Sequence, residues 1–188
     1  MSHGTFMIDA NSLITPHQQY YPFDFAPGFW AQMETHIANG TIVLLDMVRN
    51  ELLRGKGTDN LKQWAENLNA SVIDHRQSDI LKRYGEILSH IQANPCYKPS
   101  ALEEWARDTI ADAWLIATAS VYGYTLITFE ERNANLNERF PSKQAKIPDV
   151  ADLFHVETKP LFYMMRALDF KLEQPLSRIK AKKDGAKV

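Results

Sequence analysis

Four acidic side chains stand at the ends of apolar segments, where a carboxylate is either an ordinary turn residue or a ligand. Asp9 closes the apolar run of TFMIDANSLI, Thr5 to Ile14. Glu51 lies in DMVRNELLRG, one turn past the start of a helix that follows a second apolar strand. Asp112 lies in ADAWLIATA, and Glu130 follows the strand in LITFEERN. Taken singly, Asp9 reads as a turn or cap residue, Glu51 as a solvated helix residue and Glu130 as a loop acid. Asp112 differs, because it sits in an apolar helix of small residues and a buried acid needs a partner. Taken together, four converging carboxylates repel one another unless a cation joins them. Oxygen-only donors favour hard ions such as Mg²⁺ or Mn²⁺. Such an ion can make a bound water nucleophilic and stabilise charge on a phosphate under attack. The pattern therefore points to metal-dependent phosphoryl chemistry and leaves the substrate open.

The elements that must gather these acids are legible from periodicity. Phe6 to Ile8, Thr41 to Leu45, Ser71 to Asp74 and Tyr124 to Phe129 read as strands, with a small strand near Val156. Helical spacing covers Gly28–Asn39, Asp46–Arg54, Asn60–Asn69, Arg76–Ala93 and Lys159–Phe170, and a short helix begins at Ile147-Pro148-Asp149. Asp46 reads as an N-cap, and Ser100 with Glu103 as a capping box. A helical region, of one or two helices, runs from there to Tyr122 and stops at Gly123. The aromatic segment from Pro16 to Pro27 reads as a loop. Strands alternating with helices imply a three-layer α/β/α sandwich around a parallel sheet of four to five strands. In such sheets, ligands bind outside the carboxyl ends of the strands. Asp9 and Glu130 leave the sheet on that edge, and Glu51 and Asp112 can point to it.

The 188 residues, 45% apolar, suffice for one well-packed domain over residues 1–170. The formal charge of -2 does not announce a nucleic-acid binder in bulk. The tail 171–188 is different, with six basic residues against Glu173 and Asp184. It reads first as a solvated end, and alternatively as a basic arm on phosphates. A single cysteine, Cys96, excludes a disulfide and a thiolate zinc cluster. No signal peptide or membrane span is visible, so a cytoplasmic location is expected. The six histidines lack metal-ligand spacing, and neither a phosphate-binding G-x-x-x-x-G-K-[ST] loop nor a G-x-S-x-G elbow occurs.

Three blocks, MIDANSLI, VRNELLRG and ADAWLIATASVYGYTLITFE, resemble in order and spacing the PIN domain of metal-dependent ribonucleases. The third block is the most specific: an acid opening a D-A-x-x-I-A-T-A helix, then a glycine, a strand and a terminal Thr-x-acid. The resemblance implies a parallel sheet between helices, Mg²⁺ or Mn²⁺ at three or four acids, and cleavage of RNA. By position it makes Asp9, Glu51 and Asp112 the metal-binding acids. Glu130 falls where the family usually has Asp. Asn11 and Thr128 match small polar positions that orient acids or waters. Many relatives are VapC-type toxins, so RNA, a second copy of the chain and an antitoxin protein are the implied partners. Residues 57–100 form an addition, expected to be helical, to the compact members.

Arg54, Lys56 and Arg132 stand near Glu51 and Glu130 in sequence and are candidate phosphate contacts, or simple surface charge. Asp108 precedes Asp112 by four residues and on one continuous helix would share its face. Tyr20, Tyr21, Phe23 and Phe25 could stack bases, but read more simply as a loop pinned to the core or a dimer contact. Two rival functions stay open: an inactive PIN-like binding module, and a phosphatase of the haloacid dehalogenase type. The phosphatase requires Asp-x-Asp after the first strand, where this chain has Asn11.

Overall fold

The computed structural model describes residues 4–54, 60–68 and 72–172. Five parallel strands form one sheet: β1 (Phe6–Ile8), β2 (Ile42–Leu45), β3 (Val72–Ile73), β4 (Thr125–Ile127) and β5 (Thr158–Lys159). Their order across the sheet is β3-β2-β1-β4-β5. Met7 pairs with Val43 on one side and with Leu126 on the other. The chain thus starts in the middle, builds outward through β2 and β3, and returns to add β4 and β5 on the opposite side. The reversal falls between β1 and β4, the place where an α/β sheet opens a crevice at its carboxyl edge.

Helices flank the sheet, which is why β1 is buried along its whole length. They are α1 (Asn11–Thr15), α2 (Pro27–Ala38), α3 (Asp46–Leu53), α4 (Asn60–Asn67), α5 (Ser78–Ala93), α6 (Pro99–Trp105), α7 (Asp112–Tyr122), α8 (Ile147–Ala151) and α9 (Leu161–Ala167). The centre of the molecule is α7, buried without interruption from Ala113 to Ala119. Its alanines let it sit close to the sheet, while α5 packs along it. It stops at Gly123, whose φ of 70° is a left-handed conformation that glycine adopts without strain. Among the described residues no helix is long and apolar enough to cross a membrane.

Several local expectations are corrected. The segment from Pro16 is not all loop: Pro16–Tyr20 continues α1 as a π-helical turn, and Pro27 already opens α2. Phe23 stacks on Trp30 at 4.2 Å and Tyr21 on Phe29 at 4.8 Å, which pins this segment to the core. Tyr20 and Phe25 stay exposed. Asp46 is inside α3 rather than its cap, and its carboxylate reaches across to His75. There is no capping box at α6: Lys98 holds the cap position, and Ser100 Oγ donates to the Lys143 carbonyl instead. The region up to Tyr122 is two helices, α6 and α7, with Asp108 in the break between them. Within 57–100 lie α4, α5 and β3, an edge of the main sheet. Of the basic tail, residues 173–188 lie outside the described residues. Lys171 is tied to α2 by a two-way amide exchange with Gln32.

Candidate functional site

The crevice at the β1–β4 switch is built by short polar bonds between the two strand ends. The Asp9 N–H donates to the Ile127 carbonyl at 3.0 Å, extending the ladder by one residue. The chain then turns into α1, and the buried Ser12 hydroxyl donates to the same Ile127 carbonyl at 3.3 Å. On the opposite strand, Thr128 Oγ1 donates to Asp9 Oδ2 at 3.3 Å and accepts the Glu130 N–H at 3.1 Å. One hydroxyl therefore orients Asp9 and sets the course of the chain into Glu130. Asp9 is only 4% exposed, so its carboxylate meets little water.

Glu51 and Asp112 arrive from helices. Helix α3 starts directly on the end of β2 and carries the half-buried Glu51 in its second turn. Asp112 is the first residue of α7. Asp9 and Asp112 titrate in the field of the neighbouring acids. Burial first, and then the charges of Glu51 and Glu130, push Asp9 up to about 7 against the pull of the Thr128 hydroxyl. Burial, then Asp9, Glu130, Glu51 and Glu104, push Asp112 up to about 7 as well. Glu51 is raised by burial, and the nearby Arg54 charge opposes that rise. Two carboxyls held near neutrality by burial and by like charge form a site that gains free energy when a cation enters.

Glu130 takes part in this field but its oxygens are already engaged. Lys146 Nζ donates to Oε1 and the Ile147 N–H to Oε2, each at 2.8 Å. The Glu130 bond raises Lys146 above its ordinary value, against the opposite pull of burial, and the charges of Asp112 and Glu104 add to the rise. Lys146 is thus a cation of the site beside Arg54, and Glu104 a fifth acid at its margin. Neither had a signal in the sequence: each lies in an element remote from the motif blocks, brought in only by the fold. Ser12 is a third such residue, doing the buried bonding while Asn11 beside it begins α1 with its side chain exposed.

The cations proposed from sequence are placed unevenly. Arg54 ends α3 close enough to lower Glu51. Arg132 pairs with Asp152 at 2.5 Å on the surface, beside a cleft of about 550 Å³ that also includes Thr128, Glu130 and Lys159. Lys56 lies outside the described residues. Asp108 does not join Asp112; it faces Tyr84, whose hydroxyl its charge helps to raise after burial. Among the described residues, the tightest potential ligand set is elsewhere: Asp46, Asp74 and His75 bring one ligand atom each within 4.8 Å of one another. That trio is knitted by its own hydrogen bonds, His75 Nδ1 to Asp46 Oδ2 at 2.7 Å and two backbone N–H groups to Asp46 Oδ1. Among the described residues, Asp9, Glu51 and Asp112 do not bring their ligand atoms within that same 4.8 Å of one another.

The chain belongs to the family described as a domain of unknown function, DUF4411. Its family model matches residues 6–172, a span that contains all four acids, Thr128 and Lys146. No curated protein matches this DUF4411 chain in sequence. Among solved structures, it is similar to one chain in the crystal structure of VapBC2 from Rickettsia felis bound to a DNA fragment from their promoter. The identity is 15%, over 83% of this chain and 98% of that one, with a TM-score of 0.45.

Proposed function

We propose that this DUF4411 protein is a divalent-metal-dependent endoribonuclease of the PIN type. The supporting observation is the elevation of both Asp9 and Asp112 to about 7, by burial and by neighbouring carboxylates, at the switch point of a parallel sheet. An all-oxygen, anionic donor set of this kind fits a hard divalent ion. Asp9, Glu51 and Asp112 would hold Mg²⁺ or Mn²⁺. Such an ion supplies an activated water and neutralises charge on a phosphodiester under attack.

The chain's own residues prepare that chemistry. Thr128 fixes the rotamer of Asp9 through its hydroxyl. Glu130 shapes the field and anchors Lys146, whose ammonium lies within electrostatic reach of Asp112 and can meet a phosphate oxygen. Arg54, one turn beyond Glu51, offers a second phosphate contact. The expected substrate is RNA. A second copy of the chain and an antitoxin that blocks the site are partners proposed from the family resemblance in the motifs.

Incubation of purified protein with total RNA, with and without Mn²⁺, tests the reading beside an Asp112→Asn variant. Metal-dependent cutting by the parent and none by the variant is expected; equal cutting by both would trace the nuclease to a contaminant. One observation favours a second reading, a PIN-like module that binds without cutting: both Glu130 oxygens are occupied. Mn²⁺ and RNA binding with no cleavage at any metal concentration would select it.

A further inference from the structure

A second polar cleft, of about 380 Å³, opens beside the acid site between α3, the N-terminal half of α5 and the break before α7. It shares elements with that site. Asn50 precedes Glu51 on α3, and Arg54 caps that helix one turn after Glu51. Its floor is rigid. Tyr84 stacks on Trp114 with centroids 3.6 Å apart and planes 6° from parallel. His75 stands edge-on to Trp114 at 4.7 Å, with its Nδ1 tied to Asp46 at 2.7 Å. Fixing Nδ1 on a carboxylate directs the other ring nitrogen, Nε2, away from that bond.

Over this floor lie two guanidinium groups, Arg54 and Arg76, both exposed. Among the described residues neither forms an ion pair with a carboxylate, in contrast to Arg83 with Glu86 and Arg132 with Asp152. Among the described residues that line the cleft, Asp108 is the one acid against these two guanidinium groups. A cation pair over a preorganised aromatic floor, in a volume at the lower end of small-ligand pockets, suits one nucleotide unit.

We propose that this cleft holds the nucleotide next to the scissile one in a single-stranded RNA, with Arg54 and Arg76 on its phosphate. The inference rests on the nuclease reading for its substrate and names Arg76, His75 and Tyr84 as parts of the binding surface. It gives the two charges distinct work: the acids hold the ion, and the arginines draw an anionic strand past a negative pocket that would otherwise repel it.

The test uses the full chain carrying Asp112→Asn, with Mg²⁺ present and a fluorescein-labelled single-stranded RNA of about ten nucleotides. Arg76→Gln and Arg54→Gln are each expected to weaken binding about ten-fold, the loss of one charge-assisted phosphate contact. Each should also reduce the slope of log affinity against log salt by about 0.7. Lys82→Gln, an exposed lysine of α5 outside the cleft, controls for the loss of one charge and should change little. Parent-like binding by both arginine variants, an equal loss in Lys82→Gln, or no RNA binding at all would overturn the inference. Cleavage is scored separately on the protein with Asp112 intact. Arginine-dependent binding without cutting would keep the cleft and remove the nuclease; cutting with arginine-independent binding would do the reverse.

Discussion

Replacing Asp9 by Asn should stabilise the metal-free protein at pH 8 and abolish its response to metal. Asp9 titrates at about 7 when folded against an ordinary 3.8, chiefly because it is buried. The folded chain therefore holds a proton that the unfolded chain releases. The contribution of Asp9 to stability is most favourable below about pH 4, falls as the pH rises towards 7, and levels off above it. The interval corresponds to about 4 kcal/mol at 1.36 kcal/mol per pH unit, an upper bound because Asp112 shares the same field. Asn keeps the carbonyl that accepts the Thr128 hydroxyl and removes the charge. In EDTA at pH 8 the variant should gain up to about 4 kcal/mol, or about 8 to 16 °C in Tm for a chain of this size. At pH 5 most of the gain should vanish, since the parent then carries the proton when folded. Adding Mn²⁺ at pH 8 should stabilise the parent and leave the variant unmoved. Urea unfolding at pH 5 and 8, in EDTA and in Mn²⁺, measures all of this. A variant less stable than the parent in EDTA at pH 8, with parental stability flat between pH 5 and 8, would refute the reasoning.

Thr128→Val removes the hydroxyl that favours the ionised form of Asp9, so Asp9 should titrate still higher and Mn²⁺ affinity at pH 7 should fall several-fold; carboxyl-detected NMR titration and calorimetry check both halves. Gly123→Ala forces a side chain into a φ of 70° and should cost about 1 kcal/mol in urea unfolding without altering Mn²⁺ affinity. Ser12→Ala leaves the Ile127 carbonyl with the Asp9 N–H alone and should cost about 1 kcal/mol. Lys146→Gln should lower the rate of RNA cleavage while Mn²⁺ binding persists, because it removes a phosphate-facing cation and no oxygen donor.

The sheet was legible because its strands are short apolar runs bounded by turn residues, and because each carboxyl end meets a helix start or an acid. That alone put Asp9 and Glu130 on one edge, and the small-residue periodicity of α7 put Asp112 against the sheet. What the sequence hid are contacts between residues without a shared period. Lys146 meets Glu130 across 16 residues, and His75 meets Asp46 across 29. Asp46 and Ser100 show why local rules misled: each side chain bonds a tertiary partner in place of the cap it was suited to fill. The aromatic segment after Pro16 looked like a loop because its prolines and lack of period hid a π-turn and, just beyond it, the stacking of Tyr21 on Phe29 and Phe23 on Trp30.

Direct titration of the protein with Mn²⁺, followed by electron paramagnetic resonance at pH 8, bears hardest on the claim that the strand-end acids share an ion. One tight site in the parent, lost in Asp9→Asn and in Asp112→Asn and retained in Asp74→Asn, is the predicted result. Undiminished binding in both strand-end variants, or binding lost only in Asp74→Asn, would contradict it.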